Sequence, residues 1–93
     1  MISEKIKELR EQANLSQGQL AKKLDVTRSS VNAWEMGLST PTTQYIVALT
    51  KLFHVSADYI LGIEADHSIS LRGYTEEEIA LVLNLLQYFD GQR

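Results

Sequence analysis

The side chains with the most to offer chemically lie in one short segment, Thr27-Arg28-Ser29-Ser30-Val31-Asn32-Ala33-Trp34-Glu35. Wound as a helix at ~100° per residue, it places Arg28, Asn32, Ser29 and Ala33 in one arc of about 140°, with Val31 and Trp34 on the other side. One arc is polar or small, and the other is bulky and apolar. The apolar arc assigns Trp34 to a core. The polar arc carries a base-edge chemistry. A guanidinium reaches both acceptors of a guanine edge, a carboxamide pairs with the donor and acceptor of adenine, a serine hydroxyl takes a base or a phosphate, and an alanine methyl meets a thymine methyl. Competing chemistries are missing from the chain. There is no cysteine, hence no thiolate nucleophile, disulfide or cysteine zinc site. His54 and His67 have no partners at metal-ligand spacing and read as surface residues. No Ser/His/Asp set, paired carboxylate site or phosphate loop is visible, so the expectation is a non-enzyme without cofactor or metal.

A reading face needs elements to hold it. Ser16-Gln17-Gly18-Gln19 is a capping box that opens one helix, with Leu20, Ala21 and Leu24 as its inward face. Asp25-Val26 breaks that helix, Thr27 caps the next, and Gly37 stops it. Two helices across so short a turn form a helix-turn-helix, the unit that sets its second helix in the major groove. The start of the first of these helices offers backbone N–H groups and the Gln17 amide to a phosphate. Thr27 is grouped with these phosphate contacts. Ser39-Thr40 and the start of the following helix, with Thr43 and Gln44, form a second such site.

The remaining elements follow from caps and periodicity. Ser3 is expected to cap a first helix whose apolar stripe is Ile2, Ile6, Leu9 and Ala13, ended by Asn14. Pro41 lies in the loop before helix four, which Thr42 caps and Ile46, Leu49 and Phe53 anchor. Ser56 caps a short fifth helix ending at Leu61-Gly62. Residues 63–73 read as a linker containing one alternating piece, His67 to Leu71, a candidate short strand. Thr75 caps a sixth helix that runs to about Phe89, with Glu76, Glu77 and Glu78 at its positive end. The apolar arc of that helix spans about 220°, far more than the ~100° a surface helix needs. One face is expected to pack on the front domain. The rest calls for a second partner, and another copy of the chain is the simplest. Leu81, Leu85 and Tyr88, or the flanking Val82 and Phe89, are the expected interface.

Charge agrees with this division without demanding it. The 93 residues carry a net charge of -3. Residues 1–62 carry +1 and residues 63–93 carry -4, so the acidity belongs to the tail. Charge alone does not point to nucleic acid. No signal peptide and no apolar run of membrane-spanning length is visible, so a cytoplasmic protein is expected.

Residues 2–62 resemble the XRE/Cro-like, lambda-repressor-like helix-turn-helix domains. The matching residues are Ile6-Lys7-Glu8-Leu9-Arg10, Leu15-Ser16-Gln17, Leu20-Ala21, Leu24, Val26, Val31, Trp34-Glu35, Gly37, Pro41, Leu49, Val55-Ser56 and Leu61-Gly62. The resemblance implies that Gln17 contacts phosphate, that Arg28, Ser29, Asn32 and Ala33 face the bases, and that Arg10 and Glu35 form an internal salt bridge. The tail, Ile69-Ser70-Leu71 then Thr75 to Ile79, is similar to dimerising tails of some such repressors. Two positions depart from the pattern. Asp25 stands where glycine is usual in the turn, and His54 where glycine or asparagine is common. Asp enters the left-handed region more readily than most residues, so the turn is expected to survive.

These readings give an all-α chain: a five-helix lambda-repressor-like DNA-binding domain (1–62), a linker (63–73) and a C-terminal dimerisation helix (74–93). The expected function is a dimeric repressor of an inverted-repeat operator on double-stranded DNA, acting by excluding polymerase. The alternative is an antitoxin-type autoregulator whose C-terminal helix binds a partner protein. Too little chain follows residue 62 for a typical ligand-sensing domain, so control by concentration, proteolysis or a regulatory protein is the expectation.

Overall fold

The computed structural model describes residues 1–63 and 71–92. Six helices follow one another: α1 (Ile2–Gln12), α2 (Gln17–Leu24), α3 (Arg28–Glu35), α4 (Thr43–Phe53), α5 (Ala57–Ile60) and α6 (Glu76–Asp90). The described residues contain no strand. The alternating piece expected over 67–71 lies, apart from Leu71, outside them.

Capping sets most of the boundaries. The Ser16 hydroxyl accepts from the Gln19 backbone N–H at 3.0 Å, and the Gln19 side chain accepts from the Ser16 N–H at 2.8 Å. Thr27 caps α3 through the Ser30 N–H, and Ser56 caps α5 through the Tyr59 N–H. Each cap satisfies a backbone donor that the helix cannot. Thr42 occupies the N-cap of α4 in extended geometry but accepts no side-chain cap hydrogen bond. Helix α1 departs from expectation. It begins at Ile2 with Met1 in the cap position, and Ser3 lies buried inside its first turn. The earlier start puts Ile2 on the face of Ile6, where it packs against the core. At the other end Ala13 is exposed, because it is already the C-cap residue.

The turn between α2 and α3 depends on Asp25, which takes φ 57° and ψ 47°. In that left-handed conformation the Asp25 N–H closes on α2, and the Val26 N–H reaches the Ala21 carbonyl at 2.9 Å. The departure from glycine is thereby accommodated. His54 does the same at the end of α4, with φ 56°.

One core joins α1 to α5. Ile6 and Leu9 of α1, Leu20 and Ala21 of α2, Val31 and Trp34 of α3, Ile46 and Leu49 of α4, and Tyr59 and Ile60 of α5 are buried together with Val55. Leu20, Val31, Leu49 and Ile60 have no exposed surface, so a truncation at any of them leaves a cavity. Trp34 packs its ring at 5.6 Å from that of Tyr45.

Helix α6 has a complete capping box, Thr75 with Glu78, yet buries none of its residues. Only Ile79 and Val82 are partly covered. The expected packing of one face on the front domain therefore reduces to a light contact. His54, read as a surface residue, takes part in it: its Nε2 lies 2.9 Å from the Tyr74 hydroxyl, and the two rings are 5.3 Å apart. The loop before α6 thus rests on the end of α4. Leu81, Leu83, Leu85, Leu86, Tyr88 and Phe89 remain exposed.

Candidate nucleic-acid interface

Helix α3 is held from behind by Val31 and Trp34, which leaves Arg28, Ser29 and Asn32 on its exposed side. Gln17, the first residue of α2, stands beside them. These four line one open surface cleft. Sequence reasoning assigned Arg28, Ser29 and Asn32 to base edges and Gln17 to a phosphate, and the structure brings the four together in space. Ala33 is half-buried on the same helix, and its carbonyl accepts from the Leu38 and Ser39 N–H groups. Ser39, Thr40, Thr43 and Gln44 are exposed, on the loop after α3 and the first turn of α4. The Thr27 hydroxyl caps α3 and also lies 3.0 Å from the Ser30 hydroxyl, so its first duty is local.

Behind the cleft is a charged anchor. The Arg10 Nε donates to Glu35 Oε2 at 2.6 Å and its Nη2 to Glu35 Oε1 at 3.0 Å. The Glu35 side chain is 3% exposed and that of Arg10 13%. A third donor, Arg10 Nη1, takes the Leu15 carbonyl at 2.8 Å, just before α2 begins. The hydrogen bond to Glu35 raises the Arg10 pKa above its ordinary value, outweighing the opposing effect of burial. One guanidinium therefore ties α1 to the end of α3 and to the approach of α2.

The anchor continues outward. The Gln17 amide nitrogen donates to Glu35 Oε1 and to Asn32 Oδ1, both at 3.2 Å. Sequence reasoning did not find this link, because its partners lie fifteen and eighteen positions from Gln17. Nor did it find that a Cβ on Gly18 would stand only 4.0 Å from the Arg28 Cδ, so that the Arg28 stem lies over the start of α2. Chemically the cleft offers a guanidinium, a hydroxyl and an amide N–H2 beside a helix N-terminus. This set suits base-pair edges flanked by phosphate. Among the described residues, no group of histidine and carboxylate side chains could hold a metal ion, and no helix is long and apolar enough to cross a membrane.

Comparison with known proteins agrees with this geometry. The family described as Helix-turn-helix matches residues 6–60. The chain is 32% identical over 84 residues to the uncharacterised HTH-type transcriptional regulator YqaE of Bacillus subtilis (strain 168), covering 90% of this chain and 68% of YqaE. It is 37% identical over 61 residues to the HTH-type transcriptional activator BcrR of Enterococcus faecalis, covering 66% of this chain and only 30% of that longer protein. Among solved structures it is similar to the P22 c2 repressor in complex with a synthetic operator. That match has TM-score 0.64 and 26% identity, over 69% of this chain and 97% of the repressor chain. It is also similar to SinR, described as the master regulator for biofilm formation, in complex with DNA. There the TM-score is 0.61 and the identity 31%, over 66% of this chain and 98% of the SinR chain. A SinR–SinI complex shares the fold over 98% of this chain, with TM-score 0.63 and 22% identity. Members of this family bind DNA and are not enzymes. The chain belongs to the XRE-type, lambda-repressor-like helix-turn-helix family of DNA-binding transcriptional regulators.

Proposed function

We propose that this regulator is a sequence-specific repressor that occupies an inverted-repeat operator as a twofold dimer and excludes polymerase from the promoter. The observation that carries the reading is the single cleft formed by Gln17, Arg28, Ser29 and Asn32 at the junction of α2 and α3. Arg28, Ser29, Asn32 and Ala33 face base edges in this account. Phosphates are taken by the start of α2 with Gln17 and Thr27, and by Ser39, Thr40, Thr43 and Gln44. The DNA-binding unit is residues 1–62, joined by 63–73 to the dimerisation segment 74–93. The similarity to operator-bound c2 and DNA-bound SinR supports a double-stranded DNA ligand.

The dimer rests on α6. A 15-residue helix with six large apolar side chains exposed needs a cover. Ile79 and Val82 are partly covered, whereas Leu81, Leu85 and Tyr88 are exposed. Leu81, Leu85 and Tyr88, with Phe89 and Val82 at the flank, are the residues assigned to the partner copy. A second reading, an autoregulator of antitoxin type, gives the same face to a different protein. Purification of the chain alone separates the two: a stable homodimer supports the repressor, and a monomer or a sticky aggregate supports the partner-binding tail. For the main reading, the test is selection of bound sequences from random double-stranded DNA. Enrichment of an inverted repeat is expected, and recovery of unselected sequence contradicts it.

A further inference from the structure

The chain Arg10–Glu35–Gln17–Asn32 has a fixed polarity. Glu35, held by the Arg10 guanidinium through two hydrogen bonds, offers only acceptors. The Gln17 group that meets it at 3.2 Å is therefore the N–H2 end of the amide. The other proton of that nitrogen points to Asn32, so the Asn32 atom that receives it, at 3.2 Å, is the carbonyl Oδ1. With Oδ1 turned inward to Gln17, the exposed end of Asn32 is its N–H2. The orientation of each amide follows from the buried charge pair.

We propose that Gln17 is a specificity-setting residue: by holding Oδ1 of Asn32 it turns the N–H2 end of that amide toward the groove. Asn32 then selects a base whose major-groove edge presents acceptors, guanine first through O6 and N7 and thymine second through O4. It disfavours cytosine, whose edge presents only an amine, and gains less from adenine than from guanine, because adenine offers the single acceptor N7 beside an amine. A free asparagine behaves in the opposite sense, because pairing with adenine uses both its oxygen and its nitrogen. This inference rests on the reading that Asn32 faces bases. It also moves the phosphate contact proposed for the Gln17 amide to the backbone N–H groups of the first turn of α2, since the Gln17 amide nitrogen already donates to Glu35 and Asn32.

The test is selection from random double-stranded DNA by the full chain, by Gln17→Met and by Asn32→Ala. The full chain should enrich guanine or thymine at the position that Asn32→Ala flattens. Gln17→Met removes the donor at nearly constant length. It should move that position toward adenine by about tenfold in the adenine-to-guanine ratio. Two results overturn the proposal while leaving Asn32 a base reader. In one, Gln17→Met keeps the guanine or thymine preference. In the other, it weakens all sequences equally, as a phosphate ligand would. If Asn32→Ala flattens no position, the base-reading role itself fails and the proposal with it. Side-chain amide hydrogen exchange on the unaltered, DNA-free chain gives an independent readout: slow exchange is expected for Gln17 and fast exchange for Asn32. The reverse order overturns the proposal whatever the variants do.

Discussion

Arg10 and Glu35 are separated by twenty-five positions in sequence and meet through two hydrogen bonds of 2.6 and 3.0 Å, with the Glu35 side chain almost fully enclosed. Neither charge is well placed to recover solvation if the other is removed. Glu35→Ala or Arg10→Ala should each cost ~3–5 kcal/mol, because a single charge is then left buried. The double replacement should cost less than the sum of the two. Thermal melts of the three variants check this, and three melts identical to that of the parent contradict it. The elevated Arg10 pKa adds no pH dependence near neutrality. A raised folded-state value gives stability that is fully present below the unfolded value, already strongly basic, and that is lost only as pH climbs past the folded one.

The pair itself was legible in the sequence through a family pattern, as were the helices, whose signals are local. Ser16, Thr27, Ser56 and Thr75 announce their caps within three residues, and Asp25 marks its own left-handed turn. What stayed hidden depends on distance and register. Ser3 looked like a cap, but burying Ile2 moves the start of α1 two residues earlier. His54 looked like a surface residue because its partner, Tyr74, lies twenty positions away in the loop before α6. The Gln17–Asn32 hydrogen bond was hidden for the same reason. The width of the apolar arc on α6 was plain, but how little of it the front domain covers was not. Amphipathicity counts apolar residues and is silent on which neighbour they find.

Salt dependence tests the source of phosphate affinity. The front 62 residues carry only +1, and the cations on α2 and α3 are Lys22, Lys23 and Arg28. Even if all three neutralised phosphates in both halves of a dimer, the slope of log K against log salt would be roughly -5 at most. Backbone N–H groups and hydroxyls supply the remaining contacts without releasing counterions. Operator titrations across a salt series should give that shallow slope. A slope near -10 places several more cations on the DNA than this face provides.

Helix α6 is predicted to join two copies. Leu85 is 54% exposed in the single chain and belongs to no core. Leu85→Asp should therefore leave the helical signal of the front domain intact while shifting the scattering mass to that of one 10.5 kDa chain. Operator binding should weaken steeply, since each half then binds without the help of the other. In the dimer the two α3 helices should read half-sites about 34 Å apart, one turn of the duplex. If Leu85→Asp stays dimeric and binds as tightly as the parent, the dimer forms elsewhere and the partner-protein reading of α6 gains.

The central claim is that the exposed face of α3 reads base edges rather than only resting on the backbone. The most direct measurement is a titration of the full chain, Arg28→Ala and Asn32→Ala against the selected operator and against a scrambled duplex at one salt concentration. Both residues lie on the surface and outside the core, so the fold should survive either change. Each variant is predicted to lose ~1–3 kcal/mol on the operator and much less on the scrambled DNA. Equal losses on the two duplexes would make Arg28 and Asn32 backbone contacts and contradict the account.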